Sequence, residues 1–383
     1  MSELTIATLG CLGIIAYHYI GYPLLLATAA ALRPNPVRRD TEYPSVSLII
    51  SAYNEDVVIE EKLRNTLKLQ YPRELLQIIV VTDGSTDTTP ELVERYHGHE
   101  VVLLHKAERR GKSAAINRGA ELASGDILVL SDANALYEPD ALARLVSNFA
   151  DQHVAAVSGC KKVRRTEAMV TESEGFYWRY ESLIKKLESR LDSTVAVVGE
   201  MFAIRRKLFR PIPDDIINDD SYLMLSALNN GMRVIYEDRA VCSELGAQSV
   251  NSELVRRERI MAGRLQIIFR RQLWLRLRPL VAFQFFSHKV LRPFLGVFMG
   301  AALFANFAAV VVESNVTWLL ILLLAQCCCY LLAILGWIAE RTASRWRLPA
   351  LAYYVIGSNL RSFNALRKYA SGQQTVLWEK LPR

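Results

Sequence analysis

Residues 78–87 read IIVVTDGSTD, and the reading of this stretch decides the fold. Ile78 to Thr82 are all β-branched, which suits a short strand buried on both faces, and Asp83-Gly84-Ser85-Thr86-Asp87 then supplies turn formers and a helix cap. The same pattern recurs on either side. Val46 to Ser51 runs into Ala52-Tyr53-Asn54-Glu55, and Ile127 to Ser131 runs into Asp132-Ala133-Asn134. Val101 to His105 and Val154 to Gly159 complete the first five strands expected. Strands alternating with helical patterns from about residue 44 to 260 predict an α/β domain on an open, largely parallel sheet flanked by helices. In such sheets the ligand crevice lies beyond the carboxyl ends of the strands. Turn chemistry explains any one of these polar segments, but three of them fall on that same edge.

The chain of 383 residues is 51% hydrophobic and 22% charged, which excludes a disordered or fibrous protein. Its apolar residues gather at the ends. Leu4 to Leu32 contains no Lys or Arg and is long enough to cross a hydrocarbon core of roughly 30 Å. Arg33, Arg38 and Arg39 follow this run instead of preceding it, so it reads as an anchor with the next residues cytoplasmic, not as a secretory signal. Further spans are expected at Leu291 to Val312 and Val316 to Ala339, joined by Glu313, Ser314 and Asn315. Leu348 to Leu366 is interrupted by Ser358, Asn359, Arg361 and Asn364 and reads as interfacial or re-entrant, with a fourth span as the alternative. The expected organisation is an anchor (1–33), a cytoplasmic domain (44–263), an amphipathic interfacial region (264–290), a transmembrane hairpin (291–339) and a final segment with a cytoplasmic tail (340–383).

Lys and Arg number 46 against 39 Asp and Glu, a net charge of +7, and the excess has a location. Between Arg256 and Arg278 stand eight arginines and one glutamate, interleaved with Ile267, Ile268, Phe269, Leu273, Trp274, Leu275 and Leu277. That pattern predicts an amphipathic helix lying on anionic membrane lipid and argues against nucleic acid as a partner. The six cysteines and six histidines show neither metal-ligand nor disulfide spacing. Arg109-Arg110-Gly111-Lys112-Ser113 is not a Walker loop, because Lys106 stands where glycine is required.

The ordered set Ala52-Tyr53-Asn54-Glu55, Asp83-Gly84-Ser85-Thr86-Asp87, Gly111-Lys112-Ser113-Ala114-Ala115-Ile116-Asn117, Asp132-Ala133-Asn134 and Asn218-Asp219-Asp220 resembles a membrane-bound family 2 glycosyltransferase over roughly residues 44–265. The resemblance implies a GT-A fold, a nucleotide-sugar donor (a UDP-sugar) and inverting transfer. With its anchor, cytoplasmic domain and hairpin the chain is similar to the cellulose, hyaluronan and poly-N-acetylglucosamine synthases. By this resemblance Asp83 bonds the uracil ring, and Ala52, Tyr53, Glu55 and Lys112 also line the donor site. Asp132 and Asn134 occupy the DxD position beside the diphosphate and a Mg²⁺ or Mn²⁺ ion. Asn134 departs from that motif, since an amide oxygen ligates a hard cation without bringing charge.

Asp220 matches the carboxylate that serves as general base, with Asp219 beside it, and Glu200 in Gly199-Glu200-Met201-Phe202-Ala203-Ile204 falls on the acceptor side. Arg256-Arg257-Glu258-Arg259-Ile260 stands where processive members carry QxxRW. Arg257 and Arg259 remain suited to diphosphate oxygens, but Ile260 replaces the Trp that would stack on an acceptor sugar. This favours adding one or a few sugars to a membrane-associated glycan or lipid-linked acceptor. Trp378 and Arg383 resemble a tail that reaches the donor site in some synthases. Three spans are few for a glycan channel, which leaves a homo-oligomer or a partner membrane subunit open as the source of the rest. The competing functional class is a non-catalytic membrane subunit that binds a sugar nucleotide, with Asn134 and Ile260 as marks of decay.

Overall fold

Leu48 and Ile50 pack into one core while Ile49 between them packs into another, and Ile78 and Val80 alternate with Ile79 and Val81 in the same way. Successive side chains of a strand point to opposite faces, so a sheet covered by helices on both sides needs unbroken apolar runs. The computed structural model describes residues 2–164, 170–245, 250–313, 317–342 and 346–372. Its strands are β1 (Val46–Ala52), β2 (Leu76–Asp83), β3 (Val101–Lys106), β4 (Ile127–Asp132), β5 (Leu136–Tyr137), β6 (Val154–Arg164), β7 (Phe202–Arg205) and β8 (Arg233–Leu245). They form one sheet in the order β3-β2-β1-β4-β7-β6-β8-β5.

The sheet is mixed. One block, β3-β2-β1-β4, is parallel throughout, and β6-β8 is a second parallel pair. The short β7 joins the blocks by pairing antiparallel with both β4 and β6, and β5 lies antiparallel on β8. A strand of two residues such as β5 carries no periodicity, and the sequence gives no sign of it. The register does what the motif positions predict. Ser51 is level with Asp132, Ala52 with Thr82, and Asp83 with Lys106, so three polar segments leave the sheet along one edge.

Among the described residues three helices are long and apolar enough to cross a membrane, Glu3–Leu32, Pro279–Val312 and Thr317–Ala339. The first is tied to the second by polar contacts, with Tyr17 Oη 2.7 Å from Ser287 Oγ and His18 Nδ1 3.0 Å from the Ser287 carbonyl. It is tied to the helix Val170–Leu191 by Tyr22, whose hydroxyl donates to buried Glu188 at 2.6 Å. The second helix begins earlier than the apolar run alone suggests, at Pro279. The last stretch is one continuous helix, Arg347–Ala370, which turns Tyr354, Asn359, Ser362 and Ala365 inward.

The arginine-rich segment is not a single helix, which corrects that part of the expectation for residues 264–290. Val250–Phe269 is one helix, a short turn follows, and the next helix opens at Pro279. Three of its charges are used within the protein. Arg256 pairs with Glu244 at 3.2 Å, Arg278 with Asp192 at 2.7 Å, and Arg270 with Asp215. Each partner is 12 or more residues away in sequence, so spacing shows the cations but not what neutralises them.

Gly125 sits where β4 begins, and a Cβ there would lie 2.5 Å from the Ser47 nitrogen and 2.6 Å from the Val46 carbonyl carbon. Backbone cannot yield as a side chain does, so Gly125→Ala should destabilise the domain by about 1–3 kcal/mol, the usual cost of overpacking. The check is a lowered thermal midpoint for the purified protein, with Gly98→Ala unchanged as the control because its position is open.

Candidate active site

Asp83 ends β2 and is buried, with both carboxylate oxygens engaged. Oδ2 accepts the backbone N–H groups of Arg110 (2.9 Å) and Gly111 (2.6 Å), and Oδ1 accepts Arg118 Nη2 at 2.7 Å. The segment from Lys106 to Gly111 is thereby held over the sheet edge. Gly84, at φ +72°, is required there, since a Cβ would fall 2.5 Å from Arg109 Cβ. Arg109 in turn lays its guanidinium 3.7 Å from the centre of the Tyr53 ring. Ala52 and Glu55 are buried behind Tyr53, and the Glu55 N–H donates to Thr89 Oγ1 at 2.8 Å.

Lys112 opens the helix Lys112–Leu122 and reaches across to the end of β4. Its ammonium lies 2.6 Å from Asp132 Oδ1 and 3.8 Å from Asp219 Oδ2. Burial works against this charge, but Asp132 and Asp219 outweigh it and raise the Lys112 pKa. Arg259 comes from the helix Val250–Phe269 and feels Asp219, Asp132 and Asp220 together, and its Nε has no hydrogen-bond partner among the described residues. The helix carrying it packs closely on the loop before Asp219. Asn218 Nδ2 donates to the Ile260 carbonyl at 3.0 Å, and a Cβ on Gly263 would strike the Asn218 amide at 2.5 Å.

Asp219 and Asp220 form the first turn of the helix Asp219–Asn229. They face different surroundings. Asp219 turns to Lys112, whereas Asp220 lines a cavity of about 440 Å³ together with Glu200, Tyr177, Trp178, Arg257 and Tyr354. Burial, then the Asp219 charge, push the Asp220 carboxyl up to about 6, with Lys112 and the Ser221 N–H opposing. Glu200 is the contrast. Burial raises it too, but Lys161 at 2.6 Å, helped by Arg256 and Lys112, holds it down to about 2. Two carboxylates on one wall thus have separated affinities for a proton, and only Asp220 exchanges one near neutrality.

Arg257 is placed on the cavity wall, with its guanidinium 3.9 Å from the Tyr177 ring centre and 4.6 Å from that of Tyr354. Asn134 points its amide nitrogen at Glu244 Oε2, 3.4 Å away. Among the described residues no group of three or more His, Cys, Asp or Glu side chains is arranged to hold a metal by itself. One carboxylate, Asp132, and one amide oxygen, Asn134, fit a magnesium-type ion that takes most of its ligands from substrate phosphates and water. Trp378 and Arg383 lie outside the described residues. Sequence reasoning missed Lys161, whose ammonium also pairs with Glu244, and missed the aromatic wall. Tyr177, Trp178 and Tyr180, clustered in an otherwise charged helix, were the available signal.

Residues 47–212 match the model of glycosyl transferase family 2. The chain carries a family 2 glycosyltransferase domain. It is 27% identical over 250 residues to a poly-beta-1,6-N-acetyl-D-glucosamine synthase of Staphylococcus aureus, covering 63% of this chain and 59% of that protein. It is 29% identical over 218 residues to the probable glycosyltransferase YdaM of Bacillus subtilis, covering 53% of this chain and 51% of that one. The chain therefore spans little more than half the length of these curated relatives. Among solved structures it is similar to the mannosyltransferase PcManGT from Pyrobaculum calidifontis, determined in complex with GDP-Man and Mn²⁺, with a TM-score of 0.69, 27% identity and coverage of 93% of this chain and 99% of that one. The sheet and its covering helices are those of a GT-A glycosyltransferase.

The proton affinity of Asp220 bears on stability as well as chemistry. A carboxyl raised in the folded state costs nothing below its unfolded pKa near 3.8, and its full cost is present above about 6. Asp220→Asn should therefore raise the thermal midpoint at pH 8, and the gain over wild type should vanish by about pH 4. Equal midpoints at pH 8 would mean that Asp220 is not perturbed.

Proposed function

We propose that this domain is an inverting transferase that moves a sugar from a nucleotide-sugar, a UDP-sugar in the first instance, to a membrane-associated glycan or lipid-linked acceptor, with the site on the cytoplasmic side of the plasma membrane. One observation carries the reading. Asp220 stands at the junction of two compartments, the Lys112, Asp132 and Arg259 cluster at the sheet edge and the aromatic cavity behind it.

An inverting displacement requires that arrangement. The acceptor hydroxyl oxygen forms a bond to the anomeric carbon as the bond from that carbon to the diphosphate oxygen breaks, and the two lie on opposite faces. The hydroxyl proton goes to Asp220, and the leaving diphosphate keeps the bonding electron pair. Lys112 and Arg259 hold the diphosphate by charge, and the Tyr53 and Arg109 pair presents a flat face to the base. Three of the four lone-pair positions of Asp83 are already taken, two by the loop and one by Arg118 of the following helix, which leaves one for a base N–H. A Mg²⁺ or Mn²⁺ held by Asp132 and Asn134 would offset diphosphate charge. The cavity wall at the QxxRW position is Ile260, and the aromatic faces come instead from Tyr177, Trp178 and Tyr354.

The test is release of free nucleotide by the detergent-solubilised protein across UDP-sugars and GDP-sugars, with Mg²⁺ or Mn²⁺ and membrane lipid extract. One donor should be consumed, and Asp220→Asn should keep nucleotide affinity while losing turnover by about 10²-fold or more. For the wild type, kcat/KM should rise with pH through about 6 and then level off, because the base must be ionised. Unchanged turnover in Asp220→Asn would remove it from this role.

A further inference from the structure

The cavity extends well past the base. Its wall follows one face of the helix Val250–Phe269 through Arg256, Arg257, Ile260, Met261 and Arg264, a run of about 12 Å at 1.5 Å per residue. Beyond Arg264 the lining comes from the membrane helices, with Tyr19 from the first and Lys289 and Arg292 from the second.

At this end positive charge exceeds what the protein neutralises. Glu181 is committed to Arg292, and Glu200 to Lys161 on the far side of the cavity. Arg264 has no ion pair, and its buried Nη1 finds no hydrogen-bond partner among the described residues. Lys289 likewise has no hydrogen bond or ion pair among them. It lies within electrostatic reach of Arg264 and Arg292 and also of Glu181 and Glu188, both of which are already engaged, Glu181 by Arg292 and Glu188 by Tyr22 and His288. Burial and the Arg292 charge pull the Arg264 guanidinium down to about 10, which leaves it charged at neutral pH. Glu181 offsets Arg292, but Arg264 and Lys289 are desolvated beside it with no ion pair of their own among the described residues, which is costly, so the site is suited to an anion that arrives with a ligand. The surface beside it is apolar. Ile20 and Leu360 adjoin cavity residues Tyr19 and Asn359 in sequence, Phe286 lies one helical turn before Lys289, and all three are exposed.

We infer that Arg264, Lys289 and Arg292 form a seat for the phosphate or diphosphate of a lipid-linked acceptor, whose first sugar reaches toward Asp220 and whose hydrocarbon chain leaves along the membrane helices. This rests on the transferase reading and narrows its acceptor to a glycosylated lipid phosphate. The seat stands apart from the donor crevice, because Lys112, Asp132 and Asp83 do not line this cavity. It acts in binding and adds no bond-breaking step.

The test reads binding, so its failure is distinct from failure of the transferase reading, which turnover decides. The full chain in detergent, held at saturating UDP or GDP to block the donor crevice, is titrated with farnesyl diphosphate, farnesol and inorganic pyrophosphate. Farnesyl diphosphate should bind at least about tenfold more tightly than either of the other two, since it alone has both the charge and the chain. Arg264→Gln and Lys289→Gln should each weaken it by about tenfold with nucleotide affinity unchanged, and Lys289→Arg should retain it. Unchanged nucleotide affinity also shows that each variant is folded. Farnesol binding as tightly as the diphosphate, pyrophosphate binding as tightly as the lipid, or undiminished binding by both Gln variants would overturn the inference.

Discussion

The Lys112 ammonium, set between Asp132 at the end of β4 and Asp219 at the start of the helix Asp219–Asn229, is the contact on which the site depends. It joins segments more than a hundred residues apart and fixes the first turn that carries Asp220. Without its charge, the carboxylates of Asp132, Asp219 and Asp220 would lose the ammonium that offsets their mutual repulsion. Lys112 therefore does two jobs. It pairs with Asp132 at 2.6 Å, and it opposes the rise that burial imposes on Asp220.

Much of this was legible in the sequence because it is local. Strand runs of β-branched residues, turns after them and paired carboxylates at a helix start are patterns of neighbours, and the sheet register then brings Ala52, Asp83 and Asp132 to one edge. What was not legible is pairing at a distance. The eight arginines between Arg256 and Arg278 look alike as spacing, yet Arg256, Arg270 and Arg278 meet acidic partners while Arg264 faces a cavity. Arg257 shows the same limit. The motif position suggests phosphate, and the fold lays it against Tyr177 and Tyr354.

The aromatic wall explains how the chain accommodates Ile260. A stacking surface is a property of a cavity and not of one position, so rings from the Val170–Leu191 and Arg347–Ala370 helices can provide what the QxxRW position lacks. The two helices approach through Tyr177 and Tyr354, whose ring centres are 6.0 Å apart. Glu258 holds the last helix to Val250–Phe269 through Lys368 at 2.7 Å and Arg361 at 3.5 Å.

Glu188 gathers Tyr22 from the first membrane helix, His288 Nδ1 at 2.8 Å from the second, and the Val195 N–H at 3.1 Å on the segment leading to Gly199. Its helix also bears Tyr177, Trp178 and Glu181. The anchor is thus more than a tether. It is masonry for the wall of the aromatic cavity, and a fragment trimmed to begin at residue 44 would keep the polar edge of the sheet while losing the brace behind that cavity. The first long apolar helix and the cavity wall are, in this chain, one piece of architecture.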